Sequence, residues 1–269
     1  MTESVPFENQ QPARPVILLG ASNLTRDFPL ILRLLQPALD DPCHIYTALG
    51  HGRSYGTWSR LLHRALPGIS RCDLWDALPQ PEHITEQPLA LLTDIGNDLI
   101  YGQSVDAIFS WVKLCLDQLQ ALDARVTITL LPETTLAKLS NLRFEMTRRL
   151  FFPNNSASLS DLVRKVNELN QRLSELEKGQ QIQIVEPAPE WYGFDPIHYR
   201  YSQRARLWKS ILTTWDLPDL EQQRVKNRWL DGCYAFTFLS PAVKRRWGKQ
   251  IVSSQPARKL ADGTLISVY

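Results

Sequence analysis

Apolar residues in this chain come in short blocks separated by longer stretches with helical spacing. Pro15 to Gly20 (PVILLG), Cys43 to Leu49, Leu89 to Ile95, Arg125 to Leu131 and Gln181 to Val185 are five such blocks, rich in Val, Ile and Leu. Their length, composition and bounding Gly or Pro residues predict strands buried on both faces. Between them, Val105, Ile108, Phe109, Val112, Cys115, Leu116 and Leu119 recur at steps of three and four behind Ser104, a predicted N-cap. A second stripe runs from Leu159 through Leu162, Val166, Leu169 and Leu173 to Leu176 and stops at Gly179. Ala205, Trp208, Ile211, Leu212 and Trp215 form a third, opened by Ser202, and Pro29 suits the first position of a further helix carrying Ile31, Leu34 and Leu35.

Regular alternation of strand and helix predicts an α/β fold with a parallel sheet, because parallel neighbours need crossovers long enough to hold a helix. Residues 15–217 are expected to form this domain, preceded by a flexible arm (1–14) and followed by an extension (218–269) of different character. The extension holds nine Lys or Arg against four Asp or Glu, interleaved with Trp229, Tyr234, Phe236, Phe238 and Trp247. Its bland reading is a tail whose aromatics pack back on the domain while its cations face water. Ala261 to Thr264, between two short apolar runs, predicts a terminal hairpin turn.

Composition narrows the function classes. With 269 residues, 43% hydrophobic and 22% charged, the chain is an ordinary globular sequence, and a net charge of +2 gives no reason to expect nucleic acid as a global partner. No apolar run is long enough to span a bilayer, and the polar opening lacks a secretory pattern, which predicts a cytoplasmic protein. Four scattered cysteines, Cys43, Cys72, Cys115 and Cys233, predict reduced structural thiols. The five histidines show no ligand spacing, so neither metal nor cofactor is expected.

In parallel α/β sheets ligands bind beyond the carboxyl ends of the strands. Ser22, Gly52 and Asn97 each follow a predicted strand closely, and Asp195 with His198 follow the fifth after a loop. A serine hydroxyl is a weak nucleophile without a base; His198 is a candidate base, and Asp195 a candidate for orienting it. Asn97 offers an amide and Gly52 an unobstructed backbone N–H to a developing oxyanion. Each segment alone has an ordinary reading: a turn serine, a capping Asp, a loop Asn. The Gly50 to Gly56 stretch also reads as a dinucleotide loop, although it follows the second strand rather than the first. Arg53, Tyr101 and Trp191 are candidate substrate-binding residues.

Taken together, GAS at Ser22, HGRS at Gly52, GND at Asn97 and DPIH at Asp195 and His198 resemble the four blocks of the SGNH hydrolase superfamily, also called the GDSL esterase/lipase family. The resemblance spans roughly Pro15 to Asp216. It implies a flavodoxin-like five-stranded α/β/α sandwich and cleavage of a small-molecule or carbohydrate ester, with a short acyl or O-acetyl group, through an acyl-serine. It also implies Ser22, Asp195 and His198 as the triad, and Ser22 N–H, Gly52 N–H and Asn97 as oxyanion donors. Ala21 stands where the family usually has Asp, so a supporting hydrogen bond near the nucleophile is either missing or supplied otherwise, and Gly50 competes with Gly52 for the second block. Acyl transfer by the same intermediate, and a non-catalytic protein that keeps the shell, are the alternatives.

Overall fold

The computed structural model describes residues 14–39, 42–140, 144, 158–177, 181–218, 220, 222–226, 228 and 239–269. Most of the N-terminal arm, Gly179, Cys233, Trp229, Tyr234, Phe236 and Phe238 lie outside them. Its strands are β1 (Pro15–Leu19), β2 (His44–Ala48), β3 (Ser59–Leu61), β4 (Arg64–Leu66), β5 (Leu89–Leu92), β6 (Arg125–Thr129), β7 (Ile182–Val185), β8 (Val243–Arg246), β9 (Lys249–Val252), β10 (Arg258–Lys259) and β11 (Leu265–Val268). Its helices are α1 (Ser22–Leu35), α2 (Leu74–Ala77), α3 (Asn97–Ile100), α4 (Val105–Ala121), α5 (Glu133–Ala137), α6 (Leu159–Glu175) and α7 (Arg204–Leu212).

The five strands expected from the apolar blocks are β1, β2, β5, β6 and β7, and they pair in parallel in the order β2-β1-β5-β6-β7. That is a doubly wound order with its switch point beside β1. Alternate side chains of β1 feed separate cores. Val16 and Leu18 pack with Ile31 and Leu35 of α1 and with Leu207 and Ile211 of α7. Ile17 and Leu19 face the opposite layer, with Ile108 and Val112 of α4 and Leu169 and Leu173 of α6. Helices therefore cover both faces, which is why β1 and β5 are apolar and buried throughout, while the edge strand β7 keeps an exposed Gln183.

Two features differ from expectation. The sheet has seven strands, because the C-terminal hairpin adds β11 parallel to β2 and β10 antiparallel beyond it. The end of the chain is thus hydrogen-bonded into the main sheet, and Ile266 and Val268 are buried there. Helix α1 begins at Ser22, seven residues before Pro29, which sits inside it. No local capping signal marks that start, since the cap comes from a distant residue described below. Ser104 and Ser158, by contrast, cap α4 and α6 by accepting from Ala107 N–H and Asp161 N–H.

Helices α1 and α7 are joined by a buried polar contact. Asp27, 1% exposed, accepts from Trp208 Nε1 at 2.8 Å, and Arg204 Nη1 lies 3.2 Å from its other oxygen. Burial pushes the Asp27 carboxyl up to about 6 against the opposing pull of Arg204 and Trp208. No helix among the described residues is long and apolar enough to cross a membrane.

Candidate active site

Because β1, β2, β5 and β7 run in parallel, the loops leaving their carboxyl ends share one rim of the sheet. Gly20 follows β1 where a Cβ would lie 2.6 Å from Thr93 Cγ2, so only glycine lets the β1 and β5 exits approach this closely. Ser22 is the first residue of α1 and is 6% exposed.

Asp94 caps this helix across the sheet. It stands just after β5 with φ +59°, a left-handed conformation that turns its carboxylate toward α1. Oδ2 accepts from the backbone N–H of Ala21 at 2.9 Å, Asn23 at 3.0 Å and Leu24 at 3.2 Å. Oδ1 accepts from Asn23 Nδ2 at 2.8 Å. Three of the donors that a helix start leaves without partners are satisfied by one anion placed at the positive end of the helix dipole. Ala21, at the helix start, has no polar side chain to cap α1, and the carboxylate at position 94 does so.

Asn23 extends the arrangement to the C-terminal block. Its Nδ2 also donates to Ile197 O at 3.0 Å, and its Oδ1 accepts from Tyr199 N–H at 3.0 Å. These are the two chain neighbours of His198, so the loop bearing the imidazole is fastened to the residue next to Ser22. Within that loop His198 Nδ1 lies 2.5 Å from Asp195 Oδ2, and Ile197 N–H donates to Asp195 Oδ1 at 2.8 Å. Burial acts to raise the Asp195 carboxyl, but the bonds from His198 and Ile197 outweigh it and hold it below the ordinary range. His51 approaches from the second block; burial, then the charges of Arg64, His198 and Arg26, push it down to about 4.

Helix α3 gathers the remaining block residues. Asn97 is 7% exposed, and its Nδ2 is buried with no hydrogen-bond partner among the described residues. Such a donor is costly to leave unpaired in a finished core. Next to it, Asp98 accepts from Ser54 Oγ at 2.5 Å and Tyr55 N–H at 2.8 Å. Burial drives the Asp98 carboxyl upward against these two bonds. At the end of α3, Tyr101 donates its hydroxyl to Gly52 O at 2.7 Å, and the following N–H, of Arg53, donates to Gly50 O at 3.1 Å. The peptide between residues 52 and 53 is held at both ends. Gly52 adopts φ +64°, and a Cβ there would meet the Tyr101 hydroxyl at 2.6 Å.

A cavity of about 100 Å³ adjoins this rim. Asn23, Asp94, Asn97 and the Pro196–Ile197 pair line it on the polar side, while Ser22 and His198 themselves are not among its lining residues. Its other walls are apolar, including Ile95, Ile100, Leu131, Leu136, Phe144 and Val166. Buried Asn170 of α6 fixes one wall by bonding both the N–H and the carbonyl of Leu131, at 2.9 and 3.1 Å.

The three substrate-binding candidates from the sequence do not line this cavity. Arg53 is fully buried; its Nε and Nη1 donate to the carbonyls of Leu49, Pro67 and Tyr269 and so fasten the loop after β2 to the C-terminal strand, while Nη2 has no hydrogen-bond partner among the described residues. Trp191 packs in the core, edge-on to Tyr199 at 6.3 Å, and its neighbour Tyr192 lines the cavity instead. Tyr101 holds the Gly52 carbonyl rather than lining the cavity. Asp94, Asn23 and Asp98 were not singled out for these anchoring roles by sequence; a Gly-Asn-Asp run shows Asp98 but not what it grips.

No family model and no curated protein matches the chain. Solved structures that resemble it include a GDSL-like lipase from Bacteroides thetaiotaomicron VPI-5482, at 14% identity and TM-score 0.46, covering 80% of this chain and 92% of that one. A psychrotrophic esterase from Pseudoalteromonas sp. is similar at 13% identity and TM-score 0.44, covering 75% and 98%. A member of the lipolytic G-D-S-L family from Veillonella parvula DSM 2008 is similar at 13% identity and TM-score 0.45, covering 75% and 97%. At these values the likeness assigns no residue role and no substrate.

Proposed function

We propose that this chain is a serine hydrolase that cleaves a carboxylic ester with a short apolar acyl group through an acyl-Ser22 intermediate. The observation that carries the reading is the pairing of His198 with Asp195 in a loop that Asn23 ties to the start of α1, beside Ser22. An imidazole with Nδ1 bound to a carboxylate is held in the tautomer in which Nε2 is the basic nitrogen.

In the proposed reaction, neutral His198 accepts the Ser22 hydroxyl proton as Oγ attacks the ester carbonyl. The oxygen of the tetrahedral intermediate takes hydrogen bonds from Ser22 N–H, Gly52 N–H and Asn97 Nδ2, whose unpaired state supports this role. Imidazolium formed in the first step is stabilised by Asp195 and returns its proton to the departing alkoxide. Water then enters, gives a proton to His198 as it attacks the acyl carbon, and His198 passes that proton to Ser22 Oγ as the acyl bond breaks, releasing the acid and restoring the serine hydroxyl and neutral imidazole. A cavity of about 100 Å³ with apolar walls suits a short acyl chain better than a long one.

Hydrolysis of p-nitrophenyl acetate, butyrate and decanoate by the purified chain tests the proposal. Turnover of the short esters is expected to exceed that of decanoate and to vanish in Ser22→Ala. Full activity in Ser22→Ala would refute it.

A further inference from the structure

Following the Gly52 loop, β3, β4, β8 and β9 form a separate antiparallel sheet, with neighbours β3-β4, β4-β8 and β8-β9. Residues 59–66 and 243–252 contribute six cations, Arg60, Arg64, Lys244, Arg245, Arg246 and Lys249, and no Asp or Glu. All four residues of β9 are exposed. After burial, Arg64 and Arg246 are the next causes lowering the Lys244 ammonium, as expected for crowded like charges.

The two hairpin tips of this sheet meet, with Trp247 N–H donating to His63 O at 3.2 Å and the two rings stacked at 5.1 Å. Leu62 at one tip is 84% exposed and Trp247 at the other 77%. Both have positive φ, 54° and 53°. That region costs a bulky L-residue about 1–2 kcal/mol and normally goes to Gly or Asn in a hairpin. Large apolar side chains are thus held in water, on unfavourable backbone, where folding alone would choose small polar ones. Val252, 71% exposed, adds an aliphatic group on the edge strand, and Arg245 lies over the Trp58 ring at 4.3 Å.

Exposed Trp and Leu tips ringed by cations match a membrane interface, where indole and aliphatic groups enter the headgroup boundary and Lys or Arg meet anionic headgroups. We propose that this sheet docks the protein on a bilayer bearing anionic phospholipid. Nucleic acid would use the cations but leave Leu62 and Val252 without a role, which favours lipid. The surface is joined to the Gly52 loop through Ser54 to Ser59, with Ser54 N–H donating to Ser59 Oγ at 3.3 Å, so docking would bring the rim close to the lipid surface. The proposal stands independently of the reaction assigned to that rim.

Co-sedimentation of the full chain with vesicles of phosphatidylcholine alone, or of phosphatidylcholine mixed with phosphatidylglycerol, tests it. Binding is expected with the mixed vesicles only, and weakening as salt is raised. The triple variant Arg60→Gln, Arg246→Gln, Lys249→Gln is expected to bind on the order of a hundredfold more weakly, from about fivefold per cation. Leu62→Ser with Trp247→Ser should weaken binding by about tenfold or more, while melting temperature is maintained or raised. No binding to either vesicle, equal binding to both, or binding to a duplex oligonucleotide without binding to vesicles would overturn the proposal. The comparison of the two vesicle types decides even if a variant fails to fold.

Discussion

Replacing Asp94 with Asn isolates the part of the structure that joins helix α1 to the His198 loop. Asparagine tolerates the left-handed backbone observed at φ +59°, so the substitution adds little conformational strain. Its Oδ1 can still accept from Ala21, Asn23 and Leu24, but the three bonds lose the charge of the carboxylate. At about 1 kcal/mol lost per bond, this amounts to roughly 3 kcal/mol. The new Nδ2 would also face Asn23 Nδ2 across a contact of 2.8 Å, setting donor against donor. A loss of about 3 kcal/mol should lower the melting temperature by roughly 6–12 °C in a protein of this size. Asn23 then loses the partner that aims it at Ile197 and Tyr199, so ester turnover should fall by about tenfold to a hundredfold through misplacement of His198. Thermal unfolding and p-nitrophenyl ester kinetics on the same preparation read both effects. A variant that melts within about 2 °C of wild type, with unchanged kcat, would refute the bridging role.

Asn97→Ala should lower kcat by about a hundredfold, since one oxyanion donor contributes on the order of 3 kcal/mol, while stability holds because Nδ2 has no partner to lose; equal turnover would remove Asn97 from the mechanism. Tyr101→Phe frees the Gly52 carbonyl and should reduce kcat by about fivefold with KM unchanged, the value of one ordinary hydrogen bond; a change confined to KM would indicate substrate contact instead. Asp27 supplies a test of sign. Its folded pKa, about 6, lies above the unfolded value, so the native state binds the proton more tightly and this residue's contribution to stability is lost as pH rises from about 4 to about 6. Urea unfolding of wild type and Asp27→Asn across that range should show the difference between them shifting by up to about 3 kcal/mol, whereas a constant difference would contradict the assignment.

The sequence displays what depends on local pattern. Five parallel strands appear as short apolar-rich blocks, although β7 is buried on one side only, and α4 and α6 announce themselves by stripes, the first behind Ser104. What it does not display are contacts between residues far apart. Asp94 reads as the polar end of an apolar run, and its grip on residues 21 to 24 exists only once β1 and β5 lie side by side. The start of α1 was obscured for the same reason, leaving Pro29 as the apparent beginning. Arg53 looks like a pocket cation because its partners are carbonyls at positions 49, 67 and 269, which no motif reveals. Strands β3, β4, β8 and β9 are three or four residues long and largely exposed, so they lack the alternation that marks a half-buried sheet. Leu265 to Val268 is visible as a strand, but its place beside β2 is decided by the open edge of the sheet.

Ser22 acting as a nucleophile activated by His198 is the step on which the proposed reaction depends. Treating the protein with a fluorophosphonate probe and mapping the labelled peptide by mass spectrometry measures that directly. One stoichiometric adduct on Ser22 is expected, lost in Ser22→Ala and strongly slowed in His198→Ala. Labelling that falls on another residue, or proceeds at the wild-type rate without the imidazole, would contradict it.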